Sequence, residues 1–159
     1  MDKLWAPWRM DYILGEEEEG CFLCRIVAED TDRENLLLKR GNHCAVVMNR
    51  FPYNNGHLMV FPYRHISGVG DMNAEERLES MDLVAEALEA FEHSMRPDGF
   101  NVGINLGRAG GAGLEEHIHM HVVPRWNGDT NFMPVIGNTK VIPQALMQLW
   151  DQLHPLLNA

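Results

Sequence analysis

His117-Ile118-His119-Met120-His121 alternates imidazole with apolar side chains at a period of two. On a β-strand this spacing sets the three histidines on one face and Ile118, Met120 and Val122 on the other. A helix would turn His119 away from its two neighbours, with no apolar stripe to match. Three aligned imidazoles suit two chemistries. One is metal binding, although residues four apart on a strand lie about 13 Å apart, so at most two of the three could share an ion. The other is nucleophilic and acid–base work, with one imidazole attacking while its neighbours place protons. A merely solvated polar strand face is the bland alternative, and strict alternation beside a glycine-rich loop weighs against it.

That loop, Gly107-Arg108-Ala109-Gly110-Gly111-Ala112-Gly113, stands just before the histidines. Glycines let backbone N–H groups turn toward an anion at close range. No Gly-Lys-Ser/Thr follows, so this is not a P-loop, nor is it a GxGxxG opening a helix. Beside the histidine strand it reads as a phosphate cradle. Cys21 and Cys24 form a CxxC pair that reads first as metal-binding or redox-active. A redox pair wants a thioredoxin-like βαβ context, which the flanking sequence lacks. Two ordinary thiols are the remaining alternative. Cys44, inside an apolar run, reads as a buried small hydrophobe.

Leu36–Lys39 and Cys44–Met48 read as strands about a Gly41-Asn42 turn, and Asn54-Asn55-Gly56 leads into a strand from His57 to Phe61 stopped by Pro62. Connections this short make antiparallel neighbours. Residues 21–30 read as a helical turn. Asn73 and Glu76 form a capping box at the start of a long helix, Asn73–Met95, ended by Pro97. Its Met81, Val84, Ala85, Leu88, Phe91 and Met95 draw one apolar stripe. Phe100–Leu106 and His117–Val123 are further strands, the second ended by Pro124. A short final helix starts near Pro143 and carries Leu146, Leu149, Trp150 and Leu153. The class is therefore α+β, a mostly antiparallel sheet with one long helix and a short C-terminal helix.

The whole chain has 159 residues, 45% of them hydrophobic and 23% charged, which suits one folded domain and excludes disordered, collagenous or coiled-coil classes. Thirteen Lys and Arg stand against 23 Asp and Glu, a net charge of −10. That balance argues against coating a nucleic acid polymer, yet a local cluster of donors can still hold a small anion. No apolar run approaches the roughly 20 residues needed to span a bilayer. The start, Met1-Asp2-Lys3-Leu4-Trp5, is unlike a signal peptide, and the three cysteines fit a reducing compartment, so the expectation is a cytoplasmic protein without a membrane partner. Leu4 to Met10 reads as a peripheral arm and Glu16–Glu19 as a solvated acidic loop.

The His-φ-His-φ-His-φ-φ run resembles the signature of the histidine triad (HIT) superfamily of nucleotide hydrolases and transferases. Asn49 through Ile66 is similar to that family's nucleotide-side strands, and Cys21-Phe22-Leu23-Cys24 to its N-terminal CxxC. Leu4-Trp5-Ala6-Pro7-Trp8-Arg9 and Val122 through Phe132 resemble a bacterial branch containing diadenosine tetraphosphate phosphorylases. The resemblance implies a single HIT-like domain over 1–159, with an arm at 1–20, a core at 21–126 and an extension at 127–159. It implies that His119 attacks the α-phosphate and carries a nucleotidyl group, with His121 and His117 as the other triad members. His121, Asn105 and the amides of Gly113 and Leu114 would contact phosphate, with Arg108 near a distal phosphate and His57 near the site. Asn49 stands where relatives place an acidic ribose ligand, and Gly113 near where many supply a hydroxyl. A structural Zn²⁺ would sit on Cys21, Cys24, His65 and His117, with no organic cofactor. The implied substrate is a nucleotide or dinucleoside polyphosphate, and the implied assembly a homodimer. Nucleoside phosphoramidate hydrolysis and a non-catalytic nucleotide-binding regulatory module are the alternatives.

Overall fold

Short connections and β-branched runs build one antiparallel sheet, described by a computed structural model over residues 20–130 and 142–159. Its strands are β1 (Leu37–Arg40), β2 (Cys44–Met48), β3 (Leu58–Pro62), β4 (Gly99–Ile104) and β5 (Met120–Arg125), ordered β1-β2-β3-β5-β4. Three helices accompany it among the described residues: α1 (Phe22–Ala28), α2 (Ala74–Ser94) and α3 (Leu146–Leu157). This is the α+β build with a long and a short C-terminal helix that the sequence implies. The N-terminal arm with its two tryptophans, the acidic run Glu16–Glu19 and the end of the Val122–Phe132 motif lie outside the described residues.

The register divides the side chains cleanly between two faces. Val46, Val60 and Met120 are aligned across β2, β3 and β5. They share a core with Leu83, Val84, Ala87 and Phe91 of α2 and Leu149, Leu153 and Leu157 of α3. Val47, Met59 and His121 are aligned on the opposite face. There α1 covers part of the sheet with Leu23 and Ile26. The remainder of that face carries the histidines.

Three expectations change in detail. The stripe that α2 buries runs through Glu76, Ser80, Leu83, Val84, Ala87 and Phe91, while Met81 and Ala85 face solvent. Two of its positions are polar, so an apolar pattern alone points to the wrong rotation. The strand bearing the triad starts at Met120 and runs through Pro124 to Arg125, whereas the sequence suggests 117–123. Before Met120 the chain leaves the ladder, and the Ile118 N–H donates to the Ile66 carbonyl at 2.7 Å. Pro124 fits inside β5 because β3 has already given way to the Asn54 turn on that side, whose side-chain amide donates to the Pro124 carbonyl. Finally, α3 begins at Leu146 rather than near Pro143.

α3 also closes one edge of the sheet. Trp150 Nε1–H donates to the Leu37 carbonyl at 3.0 Å and Asn158 Nδ2–H to the Leu38 carbonyl at 2.8 Å. The other edge, β4, is exposed from Asn101 to Gly103.

Gly56 is the tightest point of the Asn54-Asn55-Gly56 turn. Its φ is +78°, and a Cβ there would meet Phe91 Cε1 at 2.8 Å and Pro124 Cγ at 2.9 Å. Both backbone strain and overpacking oppose any side chain. Gly56→Ala is expected to destabilise the fold by about 2–4 kcal/mol. Urea unfolding checks this, and a loss below about 0.5 kcal/mol would show that the turn is not constrained in this way.

Candidate active site and metal centre

The triad imidazoles are buried: His117 is 0%, His119 7% and His121 9% exposed. A buried imidazole is tolerated when neutral and hydrogen-bonded. Main-chain partners then decide which nitrogen carries the proton. His119 Nδ1 lies 2.9 Å from the His117 carbonyl, which can only accept, so Nδ1 holds the proton and Nε2 keeps a lone pair. His117 Nε2 lies 2.8 Å from the Pro62 carbonyl, so it donates there and its Nδ1 keeps the lone pair. The two rings are thus fixed in opposite tautomers.

His121 is fixed through a relay. The Tyr53 N–H donates to His57 Nδ1 at 3.0 Å. The proton of His57 is then on Nε2, which lies 2.8 Å from His121 Nδ1. His121 accepts there and carries its own proton on Nε2. Burial, and next the neighbouring His119, push His121 down to about 4, so its ring is neutral at physiological pH. The His119 and His121 rings meet edge to face with centroids 4.8 Å apart. A ring with a lone pair on Nε2 and a ring with an Nε2–H therefore stand side by side.

The remaining sequence candidates lie at strand ends, in loops and on the helices. Asn49 follows β2 on the histidine side, and its Oδ1 accepts the Phe51 N–H at 2.8 Å, leaving the amide near Met59 Sδ at 3.7 Å. Asn105, at the end of β4, donates from Nδ2 to the Gly111 carbonyl at 3.4 Å and so ties down the glycine loop. Gly107 and Gly111 take positive φ, +66° and +86°, around an exposed turn that carries Arg108. Gly113 is exposed, with nothing within 4 Å of an added Cβ. Leu114 packs against the α1 side of the core. His43 and His93 are exposed, and His154 stacks on Trp150, 4.2 Å between centroids. Cys44 is buried, and burial pushes its thiol up to about 11.

Cys21, Cys24, His65 and His117 converge, with their ligand atoms all within 4.8 Å of one another. His117 Nδ1 is 3.2 Å from Cys21 Sγ and 3.5 Å from Cys24 Sγ, and His65 Nδ1 is 3.3 Å from Cys24 Sγ. Tetrahedral coordination at ordinary zinc–sulfur and zinc–nitrogen lengths places ligand atoms about 3.3–3.8 Å apart. The donor set and its spacing fit such an ion, and the Pro62 carbonyl already aims His117 Nδ1 at the sulfurs. The long helix helps to position His65. Glu76 accepts the Asn73 N–H in the capping box and also holds Arg64 by two bonds of 2.6 Å. Sequence reading finds the capping box but not this second duty, nor the main-chain partners Tyr53 and Pro62, which leave no trace in residue type.

An antiparallel sheet with three buried, hydrogen-bonded imidazoles on one face defines a histidine triad protein. Residues 31–128 match the family model described as HIT domain. The chain is 41% identical over 154 residues to a Mycobacterium tuberculosis protein named AP-4-A phosphorylase, covering 92% of this chain and 79% of that one. It is 26% identical over 114 residues to the Bacillus subtilis Protein hit, covering 72% and 77%. Among solved structures, a Zn-bound histidine triad family protein from Mycobacterium smegmatis superposes with a TM-score of 0.70 at 25% identity, covering 87% of this chain and 94% of that one. The chain belongs to the HIT family and, with its triad intact, is one of that family's enzymes.

The depressed His121 has a consequence for stability. Below its usual value of 6.5 the unfolded chain takes up a proton that the folded site refuses until about pH 4. Stability from this group is complete above pH 6.5 and declines as pH falls toward 4. Thermal midpoints measured across that window are expected to fall more steeply for the wild type than for His121→Asn. Parallel slopes would show that His121 is not buried neutral.

Proposed function

We propose that this enzyme cleaves dinucleoside polyphosphates in the manner of an AP-4-A phosphorylase, through a nucleotidyl group carried on His119. The observation that carries the reading is the bare Nε2 of His119 beside the Nε2–H of His121. The likeness to the M. tuberculosis phosphorylase supports the substrate class. His119 Nε2 attacks the α-phosphorus, a P–N bond forms, and the P–O bond to the leaving nucleoside polyphosphate breaks. Inorganic phosphate then attacks the same phosphorus and releases His119. With diadenosine tetraphosphate the products are ATP and ADP. Covalent catalysis splits one hard displacement into two easier ones. Charge growing on the phosphoryl oxygens meets His121 Nε2–H, the Asn105 amide and the backbone amides around Gly113 and Leu114. Asn49 faces the ribose as a neutral hydrogen-bonding group, with His57 behind His121 and Arg108 toward the distal phosphates.

Incubation with diadenosine tetraphosphate, with and without phosphate, tests this. ATP and ADP formed only with phosphate are expected, and phosphate-independent products would identify a hydrolase instead. His119→Ala is expected to lose at least about a thousandfold in turnover while still binding nucleotide. Near-normal turnover would remove His119 from the mechanism.

The ion at Cys21, Cys24, His65 and His117 is assigned as Zn²⁺, a structural ion that ties α1 to the sheet. Two thiolates and two imidazoles suit it, and the M. smegmatis relative is a Zn-bound protein. About one zinc per chain is expected by metal analysis, with a lower melting temperature after chelation. Much less than one zinc per chain in protein purified without added metal would rule it out.

The same reading makes the protein a cytoplasmic homodimer. Reduced Cys21 and Cys24 suit the compartment, and among the described residues no helix is long and apolar enough to cross a membrane. The open β4 edge, with Val102 exposed, and the exposed Leu78 and Met81 on α2 supply surface for two-fold pairing. Light scattering is expected to give the mass of two chains, and a single-chain mass at micromolar concentration would exclude the dimer.

A further inference from the structure

We propose that Asp129 is a positioning residue for the reacting imidazoles, holding through Asn54 the turn whose Tyr53 amide sets the proton positions of the His57–His121 pair. The turn after β5 carries Asp129, whose side chain is only 10% exposed although its partner Arg125 is 43% exposed. Its two oxygens accept five donors. Oδ2 takes Arg125 Nε–H at 2.7 Å, Asn54 Nδ2–H at 2.8 Å and the Trp126 N–H at 3.2 Å. Oδ1 takes Arg125 Nη2–H at 2.9 Å and the Thr130 hydroxyl at 3.1 Å. The Arg125 guanidinium holds the carboxyl well below its ordinary range, so the anion is present at any working pH.

Asn54 is the link from this anion to the site. It is buried, and its amide group donates both to Asp129 and to the Pro124 carbonyl at 3.1 Å. Its own carbonyl accepts the His57 N–H at 3.2 Å, and the residue before it supplies the N–H that His57 Nδ1 accepts. Residues 53–57 therefore hang from the end of β5 by the Asn54 side chain, with Gly56 wedged against Pro124 and Phe91. If Tyr53 N–H drifts from His57 Nδ1, the His57 proton is free to sit there instead. His57 Nε2 then presents a lone pair to His121 Nδ1, which must carry the proton in turn. His121 would lose the Nε2–H that faces developing charge. The effect falls on transition-state stabilisation rather than on substrate affinity.

Asp129→Asn keeps the shape but turns one oxygen into an amino group facing donors. Asn54→Ala instead removes the clamp and leaves the Asp129–Arg125 pair in place. Asp151→Asn on α3, which breaks an exposed ion pair with Arg33, serves as a control for general destabilisation. Long-range ¹H–¹⁵N correlation of ¹⁵N-histidine-labelled full-length protein reads ring tautomers directly. Wild type and Asp151→Asn are expected to show His57 and His121 as single Nε2–H tautomers. Asp129→Asn and Asn54→Ala are expected to show mixtures at both rings. The catalytic part rests on the reading under Proposed function: kcat on diadenosine tetraphosphate with phosphate should fall about tenfold with KM moving less than about threefold. Wild-type tautomers and kcat in a folded Asn54→Ala or Asp129→Asn protein, with only the melting temperature lowered, would overturn the proposal. Because the tautomer signature needs no substrate, mixed tautomers in the variants of a protein whose wild type does not turn over diadenosine tetraphosphate would uphold the positioning role and refute the proposed reaction alone.

Discussion

Three imidazoles within five residues can be buried together only if each has a nitrogen satisfied by a hydrogen bond. That constraint organises the whole site. His117 donates to the Pro62 carbonyl, His119 to the His117 carbonyl, and His121 accepts from His57. In each ring one nitrogen is used by the fold and the other is left for chemistry. The alternation of donors gives three different outcomes from one repeated residue: a ligand nitrogen aimed at two thiols, a lone pair on the central ring and an N–H beside it. Burial alone would have given three equivalent rings.

The partners that impose the His117 and His121 tautomers come from the flanks of β3. Pro62 closes that strand, and Tyr53 and His57 precede it. β3 and β5 are paired through Leu58–Val122, Met59–His121 and Val60–Met120. A one-residue slip in this register would turn His121 into the α2 core and bring Met120 to the site. The large buried residues on the opposite face, Val46, Leu58, Val60 and Phe91 among them, resist that slip, so the core under α2 sets the chemistry on the far side of the sheet. Glu79 adds a further constraint by accepting the N–H groups of Asn42, His43 and Cys44, which fixes the β1–β2 turn against the helix.

The triad and the cysteine pair were legible because their spacing is local and their residue types are uncommon in such patterns. His65 and His57 needed the family resemblance, since the folds that bring them to His117 and His121 join positions 52 and 64 residues apart. Main-chain acceptors and donors such as Pro62 and Tyr53 carry no signature at all. The rotation of α2 departs from the apolar pattern for a different reason. Glu76 and Ser80 are buried polar residues, satisfied by Arg64 and by main-chain contacts, and a hydrophobic pattern skips them. The start of β5 was misplaced because alternation persists beyond the ladder: His117 and His119 keep the periodicity of a strand while Ile118 bonds to Ile66 rather than to a strand neighbour.

Under the proposed function, a chain with a net charge of −10 needs local donors to outweigh its global field at a polyphosphate. Around the triad these donors are dipoles rather than cations. His121 is neutral, Asn49 and Asn105 are amides, and three arginines are committed to carboxylates: Arg64 to Glu76, Arg40 to Asp32 and Arg125 to Asp129. Fixed N–H groups in a largely buried site lose little by reorientation when charge develops, and their pull on a phosphoryl oxygen is steep over short distances. Such an arrangement favours the transition state over long-range capture of the anion. It also makes tautomer placement consequential, because moving a single proton from Nε2 to Nδ1 of His121 would exchange a donor for an acceptor on the ring that meets His119.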